Sequence, residues 1–202
     1  MKYEYKIFTK EMKENYKILV PNMLPIHFKI LDKILKDYGF NIEFLEDDVS
    51  TIIDAGLKYS NNDICYPAMI VIGQFISALK SGKYDINKTA LLMSQTGGGC
   101  RASNYIHLIR KALENSGFEE VPAIGLSLTG IEKHPGLKLS PSIILKAVYA
   151  VLYGDLIMCL YNKVKPYEIN DGETDKILDE MIEYLNKNFS GIKYMNVSKI
   201  SK

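Results

Sequence analysis

The sequence predicts an α/β protein with a mostly parallel sheet, crossover helices and an added C-terminal helical section. Short apolar runs alternate with longer segments in which apolar residues recur at helical spacing. Strands that alternate with helices imply a parallel sheet with crossover helices. The 202 residues are enough to bury one sizeable core, whereas two full domains would be a tight fit.

The predicted elements follow one another along the chain after a mixed segment that ends at residue 15. Pro25 opens the first predicted helix and Gly39 ends it. The predicted strands are residues 16–20, 41–45, 89–93 and 121–128. Predicted helices cover residues 25–38 and 47–59, the segment between Cys65 and Ser81, residues 105–115, residues 141–161 and a final segment from Gly172 on.

Residues 141–161 are apolar for most of their length and resemble a membrane span. Lys146 and Asp155 argue against a span, since each such charge near a bilayer centre costs about 2.5 to 3.5 kcal/mol on insertion scales. We therefore expect a buried helix that docks on the core or on another domain. Cys159, inside this helix, is expected to behave as a small core hydrophobe. The domain prediction is residues 1–140 for the sheet and residues 141–202 for a helical extension.

Composition excludes some classes of partner. With 25 basic against 24 acidic residues the formal charge is +1, so no global field selects nucleic acid or an anionic membrane. The three cysteines and the lack of a secretory signal pattern favour a reducing, cytoplasmic setting. Thiols or metal ligands are expected there rather than structural disulfides.

The stretch Thr96-Gly97-Gly98-Gly99-Cys100-Arg101 is the most informative in the chain. Three glycines before a cysteine leave the sulfur open to approach, at a predicted turn from strand to helix. The positive end of the following helix dipole would favour a thiolate there, which can ligate a metal or attack an electrophile. The carboxyl ends of parallel strands lie at one edge of a sheet. We therefore expect this edge, or rim, to hold residues 21–23, the glycine–cysteine loop and residues 128–130. Cys65 could also reach this rim.

Two loop cysteines at helix starts, Cys65 and Cys100, suit soft-metal ligation, including iron–sulfur clusters. Spacing alone leaves a structural or merely reactive cysteine open, because the chain has no Cys-x-x-Cys and no histidine pair at zinc spacing. His27 is a possible proton donor or a structural histidine. Phosphate binding by the three glycines is disfavoured. The segment has neither the lysine of a P-loop nor the glycine spacing of a dinucleotide-binding loop.

Five segments carry a resemblance to a known family. They are YKILVPNMLPIHF (16–28), GLKYSNNDICYPAMIVIGQ (56–74), ALKSGKYD (78–85), SQTGGGCRASNY (94–105), and Tyr153-Gly154-Asp155 with Pro166-Tyr167-Glu168. The chain resembles the part of large CoA-substrate-specific activases that lies beyond their ATPase modules. That part is similar to the cluster-bearing subunits of 2-hydroxyacyl-CoA dehydratases. The resemblance spans about residues 8 to 170.

The resemblance implies a Rossmann-like domain whose cysteines hold a 4Fe-4S cluster, which an ATP-driven activator reduces. Cys65 and Cys100 match the family's cysteine motifs and are the candidate ligands. Other rim residues, expected to tune the cluster or to meet substrate, are Asn22, His27, Arg101 and Asn104. The chain lacks the ATPase phosphate motifs and the activator's cluster loop, so neither ATP hydrolysis nor complete dehydratase activity is expected from it alone.

The sequence thus supports a cluster-binding component of an acyl-CoA dehydratase or activase system. A companion subunit or a second copy of the chain is expected to pair with it, and an acyl-CoA is a possible substrate. Neither nucleic acid nor membrane is expected as a partner. Two alternatives stay open: a non-catalytic interaction module that docks through the apolar helix, and a thiol redox protein that uses Cys100.

Overall fold

A computed structural model describes residues 5–46, 48–61, 63–95, 105–127 and 131–188. Four strands form an all-parallel sheet in the order β2-β1-β3-β4. They are β1 (Lys17–Val20), β2 (Ile42–Phe44), β3 (Thr89–Ser94) and β4 (Ala123–Leu126). Each lies within a segment predicted as a strand, apart from Ser94 at the end of β3. The protein is therefore an α/β protein with a parallel, Rossmann-like sheet.

Seven α-helices lie in the described part of the chain. They are α1 (Lys10–Asn15), α2 (Pro25–Asp37), α3 (Val49–Tyr59), α4 (Tyr66–Lys80), α5 (Tyr105–Ser116), α6 (Pro141–Val164) and α7 (Glu173–Asn188). The sequence did not predict α1, which has six residues, buries none of them and is capped by the side chain of Thr9. A helix that buries no face leaves no apolar periodicity to find.

The chain divides into two compact units. The first comprises residues Met1–Met23 and Gly39–Lys138, and the second comprises Leu24–Tyr38 and Leu139–Lys202. The predicted division at residue 140 assigned α2 to the sheet, whereas α2 groups with α6 and α7. The reason is a small core in the second unit, built from Ile30, Ile34, Ala150 and Ile182.

The core of the first unit lies between the sheet and helices α4 and α5. Leu19, Leu91 and Ala123 of the strands pack there with Phe75 of α4 and Ile109 of α5. Helix α4 buries ten of its 15 residues. It crosses α3 so closely that a Cβ atom on Gly73 would collide with the backbone oxygen of Ile52. This packing holds α4 against α3.

Helix α6 is buried on one side only. Its buried residues are Ile143, Ala150, Tyr153, Gly154 and Ile157, while seven large apolar side chains on the other side are 40% to 57% exposed. The prediction of a buried helix therefore fails for this outer face. Cys159 is exposed, so the prediction that it is a core residue is wrong. By length and composition alone the segment Pro141–Tyr167 could cross a membrane, because an 18-residue window within it has a mean hydropathy of 1.9.

Candidate functional site

Cys65 is the N-cap residue of α4 and is exposed. Its backbone is extended and its side chain makes no capping hydrogen bond, while Pro lies in the first turn of the helix. The sulfur is thus not used to close the helix end. It lies beside the positive end of a 15-residue helix, where a thiolate is stabilised relative to a thiol.

Tyr105 is the residue that the structure brings to Cys65. The Sγ atom of Cys65 lies 3.4 Å from the hydroxyl oxygen of Tyr105. Tyr105 is the first residue of α5, is 7% exposed and belongs to the core of the first unit. The sequence predicts Tyr105 only as the first residue of a helix, which does not indicate what its hydroxyl contacts.

The segment that contains Cys100, called the cysteine loop below, lies between Gln95 and Tyr105. Both of these flanking residues are described. The backbone N–H of Gln95, directly after β3, donates to the carbonyl of Leu126, the last residue of β4. The next described residue is Tyr105, next to Cys65. Cys100, Arg101 and Asn104 lie between them, in residues 96–104, outside the described residues.

Asn22 lies at the carboxyl end of β1, as predicted from the parallel sheet. Gln74 of α4 accepts a hydrogen bond from the Asn22 backbone N–H (2.7 Å) and donates one to the Asn22 carbonyl (3.2 Å). The Oδ1 atom of Asn22 is buried and has no hydrogen-bond partner among the described residues. Gln74 lies nine residues after Cys65, a rise of about 14 Å along the helix, so Asn22 and Cys65 are not in contact.

Gln74 and Gln95 are buried amides that the sequence did not predict as site residues. Gln74 is 6% exposed and Gln95 is 7% exposed. The Oε1 atom of Gln95 is buried without a hydrogen-bond partner in the described part of the chain. Gln74 is the one amide side chain in the mostly apolar helix α4. This was the available sequence signal, because a buried polar group needs a hydrogen-bond partner.

A buried ion pair lies next to β4. Arg110 of α5 donates two hydrogen bonds of 2.8 Å to the carboxylate of Glu132, which also accepts from the Gly125 N–H (3.2 Å). His134 Nδ1 accepts from the Phe8 N–H, so its Nε2 carries the proton directed at Glu132, 3.1 Å away. Burial alone would raise the pKa of Glu132, but the hydrogen bonds from His134 and Arg110 lower it to about 2.

His27 belongs to the second unit and is 2% exposed. Its Nε2 atom lies 2.9 Å from Oδ1 of Asp155, and its ring packs on Gly154, where a Cβ atom would overlap it. The Nδ1 atom is buried, with no partner among the described residues. These contacts hold α2 against α6 within the second unit and leave His27 with little surface on which to meet a substrate.

The described residues contribute one cysteine sulfur, that of Cys65, to a possible metal site. No group of three or more His, Cys, Asp or Glu residues that could hold a metal ion occurs within the described ranges. Cys65 suits iron or another soft metal. A complete ligand set therefore requires Cys100 and groups beyond the residues described.

Comparisons with family models, with curated proteins and with solved structures found no match to this chain. Function is therefore inferred from the geometry around Cys65 and from the sequence motifs quoted above.

Proposed function

We propose that this chain is a 4Fe-4S cluster-binding component of a cytoplasmic 2-hydroxyacyl-CoA dehydratase or activase-type system. In this proposal Cys65 and Cys100 are cluster ligands, and the chain handles low-potential electrons together with a companion subunit. The bound cluster would supply one-electron chemistry at low potential. The remaining ligands come from a partner, a further domain, water or substrate.

One observation carries the proposal: the exposed Cys65 sulfur lies beside Tyr105, the residue at which the cysteine loop ends. Cys100 is five residues before Tyr105 in the chain. The loop therefore starts at the sheet edge and ends next to the other candidate ligand. This supports a site formed by both cysteines at the carboxyl edge of the sheet.

Anaerobic reconstitution with iron and sulfide tests the proposal. We expect absorption near 400 nm, which is typical of thiolate-bound clusters, and equal amounts of iron and acid-labile sulfide. Cys65→Ser and Cys100→Ser should each abolish the cluster. Cys159→Ser is the matched control, because Cys159 is also exposed but lies on α6 in the second unit. Binding of zinc alone, or equal loss in all three variants, would contradict the proposal.

A second candidate function is a non-catalytic interaction module that binds no cofactor. The observation that favours it is the exposed apolar face of α6. It predicts no iron or sulfide after reconstitution, together with tight association with a protein partner. Under either function we expect the isolated chain neither to hydrolyse ATP nor to dehydrate an acyl-CoA.

A further inference from the structure

The outer face of α6 is apolar and is not covered by the other helices of the second unit. Seven apolar side chains form this face, each 40% to 57% exposed: Leu145, Val148, Val151, Leu152, Leu156, Leu160 and Val164. Together they represent on the order of 600 Å² of apolar surface, the upper end for the largest patch on a monomer. Surfaces of this size mark sites of interaction.

The charges on this face are few and are arranged symmetrically. Helix α6 has three charged residues, and Lys146 is turned aside, with its Nζ atom 5.1 Å from the ring centre of Tyr38. Asp155 and Lys163 remain on the exposed side. Asp155 contacts His27 through Oδ1, but its side chain is 61% exposed and stays accessible to a second cation. Asp155 lies four residues before Cys159 and Lys163 lies four residues after it, which is about 6 Å in each direction along the helix.

We propose that the outer face of α6 binds the same face of a second copy of this chain, antiparallel, about a twofold axis near Cys159. Each Asp155 then stands level with the partner's Lys163, so charges of opposite sign meet. A parallel pair would instead place Asp155 beside Asp155 and Lys163 beside Lys163. The charge pattern therefore favours the antiparallel arrangement.

The apolar residues match in the same arrangement. Tyr167 follows α6 in a 3₁₀ turn, is 84% exposed and lies eight residues after Cys159, while Val151 lies eight residues before it. The twofold axis brings these two side chains to the same level. Two copies together would bury at most roughly 1,200 Å², because Leu160 and Val164 also line a groove with α7, and this places the dimer among weak interfaces.

A membrane fits this face less well than a second copy does. Helix α7, which packs beside α6, has five acidic and two basic residues, so an anionic lipid surface would be repelled rather than attracted. Spanning a bilayer would also remove Ile143, Ala150 and Ile157 from the second unit in which they are buried.

Sedimentation equilibrium of the full chain over a range of concentrations tests the proposal, and it needs no cluster. Leu156→Asp should raise the Kd of the dimer at least about 30-fold, the effect of removing a central interface residue. The matched control is Leu57→Asp on α3, which replaces a 57% exposed leucine of the first unit and should change Kd by less than about threefold. Thermal unfolding confirms that both variants fold.

Charge reversal and crosslinking test the register. Lys163→Glu should weaken the dimer several-fold because it places two carboxylates level with each other, whereas Lys163→Ala should weaken it less. Both variants keep the contact between Asp155 and His27 within each copy. A short bismaleimide should join Cys159 to the partner's Cys159, which proteolysis and mass spectrometry identify. A chain that stays monomeric, floats with anionic vesicles, pairs only with a different protein, or forms a dimer insensitive to Leu156→Asp would overturn the proposal. The cluster assay fails or succeeds separately, so the two proposals are distinguishable.

Discussion

The Sγ atom of Cys65 and the hydroxyl of Tyr105 lie 3.4 Å apart, although 40 residues separate them in the chain. The contact joins the start of α4 to the start of α5. When Cys65 is a thiolate, only the hydroxyl can donate, so the tyrosine stabilises the charged sulfur.

Tyr105→Phe tests this contact because the ring keeps its place in the core while the hydroxyl is lost. We expect the midpoint of Cys65 alkylation by iodoacetamide to move to higher pH, because the thiolate loses a donor. Quantitative mass spectrometry of metal-free protein across pH 6 to 10 measures it. Cys159 in the same sample is the internal control, and a profile that does not change at Cys65 would show that the hydroxyl has no such effect.

The lowered pKa of Glu132 predicts that the free energy of unfolding falls in acid. Its pKa is about 2 in the folded protein against 4.5 for an ordinary glutamate, so it contributes stability above pH 4.5 that is lost as pH falls towards 2. The shift corresponds to on the order of 3 kcal/mol. Glu132→Gln should lower the free energy of unfolding at pH 7 by about 3 kcal/mol, because it leaves Arg110 buried without its counter-charge.

Denaturant unfolding between pH 3 and 7 measures this effect. The difference between the wild-type protein and Glu132→Gln should shrink as the pH falls, since acid removes the same charge from the wild type. Glu119→Gln, at an exposed position, is the control and should leave the curve unchanged. A constant difference at all pH values would rule out a charge-linked contribution.

The sequence predicted the strands because their residues must be apolar on both faces of a covered parallel sheet. It also placed Cys65 at a helix start, since Pro67 marks the first turn of α4. These features are local. The contact between Cys65 and Tyr105 depends on how α4 and α5 pack against each other, which no periodicity specifies.

Other features were unpredictable for the same reason. Helix α2 lies in the chain between two strands, yet Ile30 and Ile34 pack with Ala150 and Ile182, more than 100 residues away. The apolar residues of α6 surround most of the helix, so its composition could not show which side would be buried. Cys159 falls on the exposed side, and its predicted place in the core was wrong.

Gly154 permits the packing of His27 against α6. A methyl group at this position would overlap the imidazole ring and push it away from Asp155. We expect Gly154→Ala to lower the free energy of unfolding by about 1 to 3 kcal/mol, despite the higher helix propensity of alanine. Thermal unfolding measures this, with the exposed Cys159→Ala on the same helix as control. A stabilised Gly154→Ala variant would show that the helix pair can separate without cost.

Gln74 fixes the backbone of Asn22 at the end of β1 through two hydrogen bonds to its N–H and carbonyl groups. Gln74→Met keeps the length of the side chain but leaves those two groups without partners inside the first unit. We expect a loss of about 1 to 3 kcal/mol in the free energy of unfolding, because unpaired buried polar groups cost that much.

Hydrogen exchange makes the test specific to the site. The Asn22 amide should lose protection in Gln74→Met by more than the global change in stability, whereas amides in the centre of β3 should follow the global change. Asn22→Ala is the companion variant, because it removes the buried Oδ1 atom while the backbone bonds to Gln74 remain. The backbone amide at position 22 should therefore stay protected in Asn22→Ala. Equal loss of protection in both variants would show that the side chain of Asn22, rather than Gln74, holds this end of the strand.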